Sequence, residues 1–248
     1  MAKIINPYDS PGLHIPQFPE AVDIDPRFPE SMKIRILRII TKAVCRVKKI
    51  DLRIFNAILK HSDRRMMEEH LNVIRALAKI IDAKDPYMCG HCDKVVKYSM
   101  RICKTMRLPG HHVSAIKTAS QLHDIGKISV DITILRKTTP LTKDDWQKIR
   151  AHPEIGAKIV HQVGFLDDIV PIIRHHHERY DGGGYPDGSL SNIKIPLGSR
   201  IIAVADAYDA MTSDRPYRKA MKKEDAEAEL KRCAGSQFDP EVVNAFIR

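Results

Sequence analysis

No stretch of the 248-residue chain approaches the ~18 uninterrupted apolar residues that a membrane span needs. The amino terminus, MAKIINPYDSPGLHIP, carries prolines and an aspartate where a signal peptide would need an apolar run, which argues against export by that route. Cysteine is scarce. Five in a chain large enough not to need staples is an odd number, and it points to a reducing, cytoplasmic compartment. Internal repeats and low-complexity tracts are absent, and no alternating strand pattern competes with the helical one. What is present is ordinary for a soluble domain: 43% apolar and 29% charged residues. A chain of this length can hide roughly 70–75% of its unfolded surface.

The net charge of +10 is unevenly spread. Residues 33–75 hold 12 Lys/Arg against 4 Asp/Glu, so most of the excess lies in one helical stretch. A solvated or partner-facing helix surface accounts for it more simply than nucleic-acid binding does.

Six prolines between Pro7 and Pro29 make residues 1–29 an extended arm or linker. A basic helical segment is expected over 30–75, with Ile34, Leu37, Ile40 and Val44 on one stripe. It is a candidate dimerisation element. Helical periodicity continues to about 82, then resumes over 91–107, 111–125, 142–150, 153–163, 167–177, 200–212, 223–233 and 240–247. Residues 128–136 read as a short extended piece. Residues 178–199, rich in Gly, Pro, Asn and Asp, read as a long ordered loop of functional use. The fold class expected is all-α, with residues 76–248 as the main domain.

Histidines cluster along this helical pattern. His123-Asp124 ends an apolar helix, and His152-Pro153 and His175-His176-His177-Glu178 follow. Asp206 directly continues the apolar run Ile201–Ala205, where a charge is costly unless paired or bound to a metal. Imidazole and carboxylate together suit divalent transition ions. Any one of these residues could instead be an ordinary core or surface group, and Asp206 could pair with an arginine. His14, His61, His70, His111, His112 and His161 carry no such pattern. Cys89-Gly90-His91-Cys92 copies a redox spacing without the βαβ setting that such a motif needs. Trp146 is expected to pack a helix, and Thr142 to cap it.

His123-Asp124-Ile125-Gly126-Lys127, His152-Pro153 and His176-His177-Glu178-Arg179-Tyr180-Asp181-Gly182-Gly183-Gly184-Tyr185-Pro186 resemble the HD-GYP subgroup of the HD-domain phosphohydrolases. Ala83–Tyr87 with Gly90-His91, Arg200–Ala210, Asp214–Arg218 and Phe238-Asp239-Pro240 extend the resemblance over about 76–248. It implies an all-helical domain whose ligands are His91, His123, Asp124, His152, His176, His177 and Asp206. Asp124 would bridge two divalent ions, iron or manganese. Lys127 would lie near the scissile phosphate, Arg215 and Arg218 would contact phosphate, and Tyr185 would border the pocket. Some members hold a third ion through a glutamate four residues before the first histidine. Tyr87 stands there, so the expectation is two ions.

The resemblance further implies hydrolysis of cyclic di-GMP to pGpG, and onward to GMP, through a metal-bridging hydroxide. Same-fold alternatives are a phosphohydrolase for another cyclic dinucleotide or nucleotide, or a catalytically silent binding module that signals through protein partners. Cys92, Ser129, Asp131 and Thr138-Thr139 depart from the usual pattern, and none removes a ligand.

Overall fold

The computed structural model describes residues 64–84, 90–188, 190–214 and 219–248. The Pro-rich arm, most of the basic segment 30–75, Tyr87, Cys89, Arg215 and Arg218 lie outside the described residues. Among those described, the chain is all-α with no sheet; an isolated bridge pairs Ala234 with Phe238.

Helix α1 (Arg64–Lys84) buries Ile74, Ala78 and Ile81, which recur at the spacing of one helix face. Two more helices follow, α2 (His91–Thr105) and α3 (Gly110–Leu122). A 3-10 turn over Ile125–Ser129 leads into the short α4 (Ile132–Leu135). The extended piece expected over 128–136 is therefore corrected to helix. Asp131 takes the N-cap position and accepts from the Thr133 amide, and that local contact outweighs the β-branched side chains nearby.

Helix α5 (Lys143–Arg150) opens with a reciprocal capping box between Thr142 and Asp145, as the Thr142 reading expects. It is followed directly by α6 (His152–His161). A 3-10 turn over Asp167–Ile169 runs into α7 (Val170–Arg174). The loop from 175 to 196 contains one further 3-10 turn, Asn192–Lys194. Helices α8 (Leu197–Thr212), α9 (Lys223–Arg232) and α10 (Pro240–Ile247) complete the fold.

Helix α8 is the hub. It packs against α2, α3, α7, α9 and α10. Its residues Ile201, Ile202, Val204 and Ala205 are fully buried, which a helix apolar on nearly all sides requires. Tyr208 from α8, Tyr98 from α2 and Phe246 from α10 meet edge-on, with ring centroids 4.6–5.8 Å apart. Such pairs add about 0.5–1.5 kcal/mol beyond burial. This packing fixes α8 against α2, and so brings Asp206 and His91 together. No helix among the described residues is long and apolar enough to cross a membrane.

Candidate metal centre

Three of the histidines occupy the same local position. His123 follows the end of α3, His152 follows α5 and opens α6, and His176 follows α7. In each, Nδ1 faces the carbonyl three residues earlier: Ser120 at 2.9 Å, Ile149 at 2.7 Å and Ile173 at 2.6 Å. A carbonyl can only accept, so Nδ1 carries the hydrogen and Nε2 keeps its lone pair. A helix end thus offers an unsatisfied carbonyl, and the next histidine uses it to turn its basic nitrogen inward.

Those inward nitrogens converge. His152 Nε2 lies 3.3 Å from His176 Nε2. Two lone pairs that close repel unless a cation sits between them. His91 Nε2 and His123 Nε2 are buried without a hydrogen-bond partner. Asp124 lies between the two groups. Its Oδ1 is 3.2 Å from His152 Nε2, and its Oδ2 is 3.4 Å from His123 Nε2 and 3.9 Å from His91 Nε2. Asp206 Oδ1 is 3.3 Å from His91 Nε2. His152, His176 and His177 form one set with donor atoms within 4.8 Å of one another, and His91, His123 and Asp124 form a second. Orphaned buried nitrogens beside carboxylates fit divalent transition ions.

For Asp124, His176 and His177 the electrostatics agree with that chemistry, whereas His91 would have to give up a proton to an incoming ion. Burial pushes the Asp124 carboxyl upward, but Lys127, His123 and His152 outweigh it and hold Asp124 well below the usual range. Burial lowers His177 to about 3 and His176 well below its ordinary value, so both imidazoles are neutral ligands-in-waiting. Burial also works against charge on His91, yet Asp206 and Asp209 raise it to about 10.

Gly126 explains how the two halves approach. A Cβ there would meet the His152 carbonyl oxygen at 2.0 Å and the Gly156 nitrogen at 2.6 Å. Only a residue without a side chain lets the turn after Asp124 lie against the start of α6. Lys127 Nζ then reaches Asp124 Oδ2 at 2.6 Å, with its side chain 21% exposed, which leaves it open to a bound anion.

Tyr185 stacks on His177 at 4.8 Å with planes 26° apart, and Arg150 covers its ring at 5.4 Å. Trp146 differs from the packing role expected of it. It is 47% exposed, with Arg150 5.7 Å from its ring, because α5 buries none of its residues. Arg150 therefore bridges two aromatic faces beside the cluster. Cys92 is buried, and burial pushes its thiol far upward, opposite to what redox chemistry needs.

Asp209 escaped the sequence reading. Its Oδ2 accepts from His91 Nδ1 at 2.7 Å. The signal was there: Asp209 stands one helical turn after Asp206, hence on the same face of α8.

Residues 75–242 match the HD domain family. The chain is 36% identical over 183 residues to the cyclic di-GMP phosphodiesterase response regulator RpfG of Xanthomonas campestris pv. campestris, a match covering 73% of this chain and 48% of that protein. The chain belongs to the HD-domain family, in its HD-GYP subgroup. This HD-GYP protein is also 34% identical over 174 residues to the 3′3′-cGAMP-specific phosphodiesterase 3 of Vibrio cholerae, covering 70% of this chain and 38% of that one. It spans about half or less of the length of these curated relatives. Its fold resembles a solved cyclic GMP-AMP specific phosphodiesterase of V. cholerae, with TM-score 0.56 and 18% identity over 71% of this chain and 47% of that one. It also resembles an HDG"Y"P protein of Bdellovibrio bacteriovorus, with TM-score 0.54 and 16% identity over 90% and 73%.

Proposed function

We propose that this HD-GYP protein is a metal-dependent phosphodiesterase that hydrolyses cyclic di-GMP to pGpG, with slower cleavage to GMP. The observation that carries the reading is Asp124, whose two oxygens face two separate sets of imidazoles. In this reading residues 76–248 form the catalytic domain. His91, His123 and Asp206 would hold one ion, His152, His176 and His177 would hold the other, and Asp124 would serve both. Two divalent ions bound there, iron or manganese, would supply Lewis acidity and lower the pKa of water.

The chain's own residues do the rest. The backbone carbonyls behind His123, His152 and His176 keep the rings from turning away. Lys127, partly exposed beside Asp124, offsets charge that develops on the phosphate oxygens. Arg215 and Arg218 grip a phosphate with their planar guanidinium forks. Tyr185, held on His177, forms one wall of the pocket. The partner of the site is thus a cyclic dinucleotide.

A second reading, hydrolysis of 3′3′-cGAMP, is favoured by the identity to relatives specific for that dinucleotide. One experiment separates these outcomes. The full chain is purified anaerobically, its metal content measured, and its turnover of cyclic di-GMP and 3′3′-cGAMP followed on the same sample. Faster turnover of cyclic di-GMP supports the first reading, and the reverse supports the second. Full metal loading without turnover of either would show a binding module instead.

A further inference from the structure

Outside the central cluster, one other set of ligand-type side chains converges. His175, Glu178 and Asp187 each present a donor atom, and the three atoms lie within 4.8 Å of one another. His175 ends α7, while Asp187 directly follows Tyr185-Pro186, so the set joins the two ends of the glycine-rich stretch 178–188. His175 Nδ1 is 3.6 Å from Asp187 Oδ2 and 3.9 Å from Glu178 Oε1. Both separations are too long for hydrogen bonds. They suit donors arranged around a shared centre.

The protein leaves this set unsatisfied. His175 Nδ1 and Glu178 Oε2 are both buried without a hydrogen-bond partner. The Glu178 side chain is 0% exposed. Oε1, the oxygen 3.9 Å from His175 Nδ1, also accepts from the amides of Asp187 at 2.8 Å and Gly188 at 3.4 Å, which ties the carboxylate in place; Oε2 is the oxygen left without a donor. A buried oxygen without a donor is costly, and more so when charged. Among the described residues, four of the five such orphaned side-chain atoms belong either to this set or to the central cluster. Arg174 occupies the outer oxygen of Asp187 at 2.5 Å and so leaves Oδ2 turned towards His175.

We propose that His175, Glu178 and Asp187 form a separate binding site for a divalent first-row transition cation. Zinc is the ion best matched to one imidazole and two carboxylates, with water completing the tetrahedron. The ion would tie the end of α7 to the far end of the signature stretch, and Tyr185 lies between those two anchors. The site is chemically separate from the proposed phosphodiesterase centre, and its test does not use turnover.

The full chain, stripped of metal, is equilibrated with Zn²⁺ alone and its bound zinc is counted. The same is done for His175→Gln and Asp187→Asn. Each variant is expected to bind one ion fewer per chain than the wild type, with an unchanged far-ultraviolet spectrum. Anomalous diffraction at the zinc edge should place a peak between the three side chains in the wild type. Equal zinc counts in the wild type and Asp187→Asn, or no anomalous peak at that position, would overturn the proposal. Asp187 is part-exposed, so this variant keeps the test decisive if His175→Gln fails to fold.

Discussion

Asp209 Oδ2 lies 2.7 Å from His91 Nδ1, and that one contact sets which nitrogen of His91 faces Asp124 and Asp206. Lys94 Nζ, 3.3 Å from the other oxygen of Asp209, and Ser213 Oγ, at 3.1 Å, keep the carboxylate from rotating. The chain His91–Asp209–Lys94 therefore links α2 to α8 at the edge of the proposed metal centre.

Replacing this carboxylate should loosen the first ligand without removing it. Asp209→Asn is expected to fold and to lose affinity for metal by roughly 10–100-fold, the usual effect of removing a group that orients a ligand histidine. Competition with a coloured chelator would read this directly, and turnover should return towards the wild-type value at saturating metal. Unchanged metal affinity would remove Asp209 from the centre.

Lys127 is expected to act on chemistry more than on metal loading. Its amine is 2.6 Å from Asp124, yet it is not itself a metal donor while protonated, and Asp124 raises its pKa against the opposing effect of burial. Lys127→Ala should lower kcat by about 10²-fold, the scale of losing one donor to developing charge. Elemental analysis should find metal content close to wild type. Wild-type kcat at saturating cyclic di-GMP would show that the amine has no chemical role.

The seven candidate ligands were legible through the family motifs that carry them, and apolar periodicity of 3.6 located the helices around them; over 167–177 it ran on too far, because α7 ends at Arg174 and His176 lies beyond it. Asp209 was overlooked because a carboxylate next to apolar residues looks the same whether it binds a metal or supports a ligand. Trp146 was misjudged for a related reason. Periodicity tells which face of α5 is apolar, but not that α5 stays outside the core. The convergence of His175, Glu178 and Asp187 required the turn of the loop itself, since the eleven residues of the glycine-rich stretch 178–188 do not reveal their own path.

Gly126 should be among the least replaceable residues of the domain. A Cβ at 2.0 Å from the His152 carbonyl oxygen meets only backbone atoms of α6, so no rotamer relieves it. Gly126→Ala is expected to cost about 3 kcal/mol through overpacking, and to part Asp124 from His152. The predicted readout is a lower Tm in the metal-free protein together with weaker metal binding. A Tm equal to wild type would mean that the turn can shift freely, and the close approach of the two motifs would then lose its explanation.

The Arg200–Asp239 pair offers a test of what holds the start of α10 against α8. Arg200 Nη1 donates to Asp239 Oδ2, and its Nε donates to the Ile195 carbonyl at 3.0 Å. Asp239 is 2% exposed at its side chain, and its other oxygen accepts from the Glu241 amide at 2.8 Å to cap α10. Asp239→Ala thus removes a cap worth about 1 kcal/mol and strands a guanidinium that is mostly buried. The combined cost should be roughly 3–5 kcal/mol, read as a fall in the urea midpoint. Adding Arg200→Met to Asp239→Ala should recover part of that loss, because the second change removes the stranded charge. If the double variant were less stable than Asp239→Ala alone, the arginine would be stabilising through its packing and its Ile195 contact, not through the ion pair.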